Sequence, residues 1–216
     1  MASRKAPKPT STLIMLVRHG KTPSTGTVLP GRAPGLSLSD VGLAQAEAAA
    51  QRIAELEKPP TAVYASPLER TRQTAQPIAR ALGLRVRTEQ GLLECDFGAW
   101  TGKRLNALRK KPEWSQVQAS PSVFRFPQGE SFSEMATRSW EAVLALGERH
   151  RGETIVAVSH ADPIKAILSM AAGSPLDCFQ RLVVSPCSIS TVLLGEHGAV
   201  VLNMNTTGSL KEIALS

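Results

Sequence analysis

Three short apolar runs constrain this chain most: LIMLV at Leu13–Val17, TAVY at Thr61–Tyr64 and TIVAV at Thr154–Val158. A strand covered on one face alternates apolar and polar residues, whereas one covered on both faces is apolar throughout. Each run ends at, or one residue before, a polar or charged residue and is followed by a segment of helical period. Ser39 can cap a helix running to about Leu56, with Leu43, Ala46, Ala50, Ile53 and Ala54 on one face. Ser66 can cap a second, with Pro67 at its first position and Gly83 closing it. A long helix is expected from about Ser131 to His150, with Ala136, Trp140, Val143 and Leu144 inward, and another over Pro163–Ala172. RVRT at Arg85–Thr88 reads as a further strand, LLECDFGAWTG as a loop, and Ser188–Leu194 with Ala199–Asn203 as a closing hairpin.

Strands alternating with helices predict an α/β fold: a single three-layer, doubly wound, mostly parallel sheet with helices on both faces. The 216 residues, 42% of them apolar, suffice for one such domain over residues 12–216. Residues 1–11, with Arg4, Lys5 and Lys8 among prolines, read as a disordered basic arm. No apolar run is long enough to cross a bilayer and the first residues lack a signal-peptide core, so the expected location is the cytoplasm and no membrane partner is expected. Cys95, Cys178 and Cys187 are too far apart to suggest a disulfide framework or thiolate metal site.

The net charge of +7 admits nucleic acid, anionic surfaces or small anions as partners. Outside the arm the cations are scattered, with one dense cluster at Arg109–Lys111, and aromatics make up only 4%, too few for base-stacking platforms. Small acidic substrates fit better than nucleic acid, and a homodimer is compatible with the chain.

In doubly wound sheets ligands bind beyond the carboxyl ends of the strands. Here those ends read Arg18-His19-Gly20, Ser66-Pro67-Leu68-Glu69-Arg70 and Ser159-His160. Two of the four histidines and two arginines therefore meet at one place, while His150 and His197 lie in bland surroundings at a helix terminus and a turn. A phosphomonoester carries about two negative charges near neutral pH, which two guanidinium forks can neutralise without a metal or other cofactor. One imidazole must be neutral to attack phosphorus, and flanking guanidinium groups favour that form. Small Gly20 lets backbone approach the phosphate beside His19, and His160, protonated, could stabilise charge on the transferring group. On chemistry alone the two roles are interchangeable. The leaving alkoxide needs a proton and the water needs a base, and Glu94 and Asp162 are the candidates. Glu94 has apolar neighbours that raise its pKa, whereas Asp162 is placed to cap the helix at Pro163.

As an ordered set, these segments resemble the histidine phosphatase superfamily, whose best-known branch is the cofactor-dependent phosphoglycerate mutases. LVRHGKT at Leu16–Thr22 is similar to the family's L-V-R-H-G-E-T, and SPLERTRQTA from Ser66 to S-x-L-x-R-A-x-x-T-A. LLECDFGAWTG resembles L-x-E-x-x-F-G-x-W-x-G, with GES at Gly129–Ser131 and VSHADPIKAIL at Val158–Leu168 following in order. The resemblance implies that His19 is the phosphorylated nucleophile, that Arg18, Arg70 and His160 form the phosphate pocket, and that Glu94 is the proton donor. Lys21 stands where the signature usually has Glu, adding positive charge near the mouth. Thr25 stands where an Asn often helps bind phosphate, and it retains one donor. The stretch from Gly102 to Gly129 lacks the longer insertion and paired arginines with which the mutases grip a carboxylate. These features imply a phosphatase acting on small phosphorylated metabolites, with a phosphoglycerate mutase as the alternative. A non-catalytic phospholigand-binding module is a third reading, opposed by the complete set of reactive side chains. Lys21, Arg32, Lys103 and Arg104 are candidates for the rim of the pocket.

Overall fold

A computed structural model describes residues 11–210. The arm expected over 1–11 lies outside the described residues apart from Ser11, which directly precedes the first strand. The strands are β1 (Thr12–Arg18), β2 (Ala62–Ala65), β3 (Val86–Thr88), β4 (Thr154–Ser159), β5 (Ile189–Gly195) and β6 (Gly198–Thr206). They form one sheet in the order β3-β2-β4-β1-β5-β6. The first four are mutually parallel, and the β5–β6 hairpin joins β1 antiparallel.

Alternation along the strands divides the core in two. Ile14 and Leu16 of β1 pack with helices α5 (Phe132–Arg149) and α6 (Ala161–Ala171), while Leu13, Met15 and Val17 pack with α1 (Asp40–Ala54) and α2 (Glu69–Ala81). Both faces are covered, and this is why β1 is apolar throughout. The three-layer expectation is met.

Local signals explain most helix ends. The Ser39 side chain accepts from Gly42 N to cap α1, and Ser131 and Glu134 make a reciprocal capping box on α5. Gly83 follows α2 at φ +66°. Three assignments change. Leu43 and Leu144 are exposed and Ala54 also faces solvent, because Gly42, Ala46, Ala49 and Ile53 set the buried stripe of α1 and Val143 and Leu146 that of α5. Helix α2 begins at Glu69 with no side-chain cap, so Ser66 is free for another partner. Helix α6 begins two residues before Pro163 with His160 as its cap position, and Asp162 lies inside its first turn.

Between β3 and α5 the chain has no single period and builds a third apolar cluster from short pieces. Helices α3 (Leu105–Leu108) and α4 (Glu113–Ala119) and several 3-10 turns gather Phe97, Trp100, Phe124, Phe126, Phe132 and Phe179 edge to face. This annex sits beside the carboxyl ends of the strands and carries the segment that contains Glu94. Among the described residues no helix is long and apolar enough to cross a membrane.

Candidate active site

β1 and β4 are neighbours, so Arg18-His19 and Ser159-His160 emerge side by side, and the His19 N–H bonds the Ser159 carbonyl at 3.0 Å. The two imidazoles meet edge to face with centroids 5.3 Å apart. His19 Nδ1 lies 2.8 Å from the Gly20 carbonyl, an acceptor only, so Nδ1 carries the proton and Nε2 holds the free lone pair. The Gly20 N–H bonds Thr74 Oγ1 at 3.0 Å, and that hydroxyl donates to the Arg70 carbonyl at 2.7 Å, tying the β1 loop to α2.

Gly20 has a different purpose from the one its position suggests. A Cβ on it would lie 2.5 Å from the Gly42 carbonyl oxygen, and one on Gly42 would lie 2.0 Å from the Lys21 carbonyl oxygen. The pair allows the loop and α1 to touch backbone to backbone, which fixes the direction in which His19 leaves β1.

Arg70 is fully buried, yet only its Nη2 is bonded, to the Gly31 carbonyl at 2.8 Å. Arg18 gives one bond, from Nη1 to the Val184 carbonyl at 2.6 Å. Arg18 Nε, Arg70 Nε, Arg70 Nη1 and His160 Nδ1 are buried without partners among the described residues. Unpaired buried donors are costly, and several together around one imidazole make a cradle for an anion. His160 Nε2 is held by Ser66 Oγ at 2.9 Å, the partner that Ser66 has instead of a helix end.

Burial first, and then Arg70 and Arg18, lower the His19 pKa to about 3, so this imidazole is neutral across physiological pH. Burial and the same guanidinium groups, with His19, also push His160 well below its ordinary value. That direction favours the neutral imidazole, against the expectation of a protonated His160, and its Nδ1 is buried without a partner among the described residues. Glu94 is buried, and its pKa rises to about 7 through burial and then the Asp162 carboxylate, opposed by Arg70 and Arg18. Asp162 is tied to Lys165 at 3.6 Å, and both arginines feel Glu94 as their strongest anionic neighbour. Among the described residues no group of three or more His, Cys, Asp or Glu side chains is placed to hold a metal ion.

The remaining expected residues divide. The Lys21 side chain is exposed, and its backbone pairs with Gln45 and Ser39. The Thr25 hydroxyl is within 3.0 Å of both the backbone nitrogen and the hydroxyl of Thr22, and so builds the turn. Arg32 is not a solvated rim cation: its Nε bonds the Glu94 carbonyl at 2.8 Å and its Nη2 bonds Glu130 at 2.9 Å. Lys103 and Arg104 are exposed, and Arg125 pairs with Glu134. Sequence reasoning placed Ser66 at a strand end but read it as a helix cap rather than a partner of His160, and it missed Thr74, Glu130 and Arg138 as parts of this region. Position at a strand end was the available signal for Ser66; for Glu130 and Arg138 there was none beyond the GES segment.

The family model for the histidine phosphatase superfamily, branch 1, matches residues 14–207. The chain belongs to this superfamily. Among curated relatives, the bifunctional protein Rv2228c of Mycobacterium tuberculosis is 35% identical over 205 residues, covering 93% of this chain and 56% of the relative. The chain thus spans about half the length of the first curated relatives it matches. Phosphoserine phosphatase 1 of Hydrogenobacter thermophilus is 31% identical over 204 residues, covering 92% of this chain and 94% of the relative. A phosphoserine phosphatase mutant from Entamoeba histolytica, solved with phosphoserine, superposes with a TM-score of 0.82 at 25% identity, covering 92% of this chain and 99% of that one. In this chain the paired imidazoles lie at the carboxyl ends of the parallel strands β1 and β4, where such a fold leaves its ligand crevice.

Proposed function

We propose that this member of the histidine phosphatase superfamily is a metal-independent phosphomonoesterase that hydrolyses small phosphorylated metabolites through a phosphohistidine on His19. The observation that carries the reading is the ring of buried, unpartnered donors on Arg18, Arg70 and His160 around a neutral His19. The phosphoryl oxygens take those donors. Nε2 of His19 attacks phosphorus, the bond to the leaving oxygen breaks, and protonated Glu94 supplies that oxygen with its proton. Water then attacks the phosphohistidine, the P–N bond breaks, and the Glu94 carboxylate takes the proton from water. Inorganic phosphate leaves, and Glu94 is ready for the next turn. Fixed guanidinium charges stabilise the transferring group without reorganising.

Two features support hydrolysis over mutase chemistry. The stretch between Gly102 and Gly129 is short, its exposed arginines Arg104 and Arg109 are not adjacent in the chain, and Arg125 is occupied by Glu134, which does not resemble the paired arginines of the mutases. The named phosphatases among its relatives are consistent with a phosphorylated amino acid or a similarly small ester. A cytoplasmic location, supported by three unpaired cysteines, belongs to the same reading. So does a homodimer, supported by the β6 edge strand, which has no charge or proline and exposes Val200, Leu202 and Met204; sedimentation across a concentration series tests it.

Incubation with p-nitrophenyl phosphate in EDTA should release phosphate and leave an acid-labile phosphoryl group on the quenched enzyme. Full turnover by His19→Ala overturns the reading. So does rapid interconversion of 2- and 3-phosphoglycerate with negligible hydrolysis.

A further inference from the structure

The segment carrying Glu94 is held from outside by a network of three charged side chains, Arg32, Glu130 and Arg138. Glu130, at 14% side-chain exposure, receives Arg138 as a fork, Nε to Oε1 at 2.9 Å and Nη2 to Oε2 at 3.1 Å. The same Oε2 accepts from Arg32 Nη2 at 2.9 Å and from the Asp96 N–H at 3.1 Å. Both arginines then turn to one peptide oxygen: Arg32 Nε lies 2.8 Å and Arg138 Nη2 3.4 Å from the Glu94 carbonyl. Arg138 Nη1 also takes the carbonyls of Gly91 and Leu93 at 2.7 and 3.1 Å. Two parts of the chain that are distant in sequence from each other, the loop before α1 and the start of α5, therefore converge on the backbone of one carboxylic acid. The loop before α1 contributes Arg32, the turn before α5 contributes Glu130, and α5 itself contributes Arg138.

Among the described residues the acid's own side chain makes one hydrogen bond, Oε1 accepting from the Cys95 N–H at 2.9 Å. Its aim is thus set by its peptide rather than by partners on the carboxyl group. A carboxyl group that must both give and take a proton cannot be locked by strong partners at its oxygens, and its position has to be fixed elsewhere. Proton donation needs heavy atoms within hydrogen-bond reach, and a displacement near 1 Å can cost on the order of 10²-fold in rate.

We infer that Arg32, Glu130 and Arg138 form a positioning clamp that holds Glu94 in line with the leaving-group oxygen, so that the clamp governs leaving-group protonation rather than phosphate binding. The inference rests on the phosphohydrolase reading above. It assigns no contact with substrate to the three residues: Arg32 and Arg138 grip the peptide, and Glu130 keeps the two guanidinium groups together. A clamp of this kind has a kinetic signature that a purely structural network lacks. Loss of aim leaves phosphate capture by Arg18, Arg70 and His160 in place while withdrawing the proton from the departing oxygen. Esters of acidic alcohols leave without much help, and esters of basic alcohols do not.

The test is a series of substituted phenyl phosphates of similar size, graded from nitro to methoxy, with kcat/KM measured for wild type, Glu130→Gln, Arg138→Lys and Glu94→Gln. For Glu130→Gln the nitro ester should lose less than about 3-fold and the methoxy ester about 30-fold, so that rate depends more steeply on leaving-group basicity. Arg138→Lys, which keeps the charge but loses the fork, should steepen the dependence in the same direction. Adding Glu130→Gln to Glu94→Gln should steepen it no further, because the residue being aimed has lost its proton. Equal losses across the series, or an unchanged slope in variants that retain the wild-type circular dichroism spectrum, overturn the clamp. If Glu130→Gln fails to fold, Arg32→Lys and Arg138→Lys decide it by the same slope. Failure of the wild type to hydrolyse any ester in the series refutes the phosphohydrolase reading instead, which keeps the two outcomes apart.

Discussion

The two ends of the sheet each bury histidine among charged and hydroxyl groups, but they do so in opposite ways. At the amino ends of β2 and β4, His150 is 7% exposed and both ring nitrogens are used: Nε2 meets the Tyr64 hydroxyl at 3.0 Å and Nδ1 meets Glu153 at 2.7 Å. Thr61 donates to that Glu153 carboxylate at 2.7 Å, and Arg87 donates to the Tyr64 hydroxyl at 3.1 Å. At the carboxyl ends, His160 is fully buried with one ring nitrogen open, and the two nearby arginines leave three nitrogens without partners. A satisfied polar cluster stabilises a fold, whereas one with unpaired buried donors costs stability and suits an anionic ligand. Burial of a histidine is therefore no guide to function; the state of its hydrogen bonds is.

Substitution at the two ends should separate stability from turnover. His19→Ala should lower the hydrolysis rate by about 10³-fold or more while leaving thermal stability near wild type. His150→Ala should keep turnover within about 3-fold and lower stability by roughly 1–3 kcal/mol, since Tyr64 and Glu153 lose their shared partner. Rate assays and thermal melts on the two variants check this together, and the reverse pattern would break the contrast. Arg70→Met comes next. A fall of about 10²-fold in kcat/KM is expected, with the melting temperature equal to or above that of wild type, because an undercompensated buried cation has been replaced by apolar volume.

How far the two ends were legible in the sequence differs for a physical reason. The carboxyl edge could be read because β1, β2 and β4 are continuously apolar and stop abruptly, so that Arg18, His19, Ser66, Arg70 and His160 are marked by where the runs end. The cluster around His150 has no such mark, since its partners come from 86 residues before it and 3 after it. Ser66 was assigned to a helix end because a Ser-Pro pair before a helix signals a cap, and only the strand register reveals His160 opposite it. The stripes of α1 and α5 slipped at Leu43 and Leu144 because periodicity fixes spacing but not phase; the backbone contact of Gly42 with Lys21 fixes the phase of α1. The aromatic annex was invisible as structure because it is assembled from many short turns, none with a period of its own.

Glu94 allows a sharper test of the unsatisfied end. Its carboxyl is protonated below about 7 in the folded protein, against an ordinary value of 4.5. Proton donation should therefore fail as pH rises through about 7, while the substrate becomes a dianion as pH rises through about 6. The kcat/KM profile for an ester with a basic leaving group should be a bell between those limits, and Glu94→Gln should lose its alkaline limb. Stability moves the same way. Between 4.5 and about 7 the folded state retains a proton that the unfolded state releases, so stability falls as pH rises across that window and the loss is complete above it. Glu94→Gln should accordingly melt higher than wild type at pH 8, with little difference at pH 4. A gain of the same size at both pH values would mean that the proton is not the cause.

The smallest effect belongs to the satisfied end. Tyr64→Phe keeps the ring that packs in the core beside Ile155 and Ala157 and removes the hydroxyl that joins His150 to Arg87 and also meets Arg149. Arg87 is exposed and can turn to water, so its loss is slight. His150 cannot, and its Nε2 becomes a buried group without a partner, at a cost of about 1 kcal/mol. The Glu153 contact to Nδ1 remains, which keeps the cost below that of His150→Ala. Turnover should stay within about 2-fold, because an aromatic isostere leaves the backbone of β2 and hence Ser66 undisturbed. A Tyr64→Phe variant that melted like wild type but hydrolysed esters slowly would show that the amino-edge cluster serves catalysis through the strand it is attached to, and the division between the two ends of the sheet would fail.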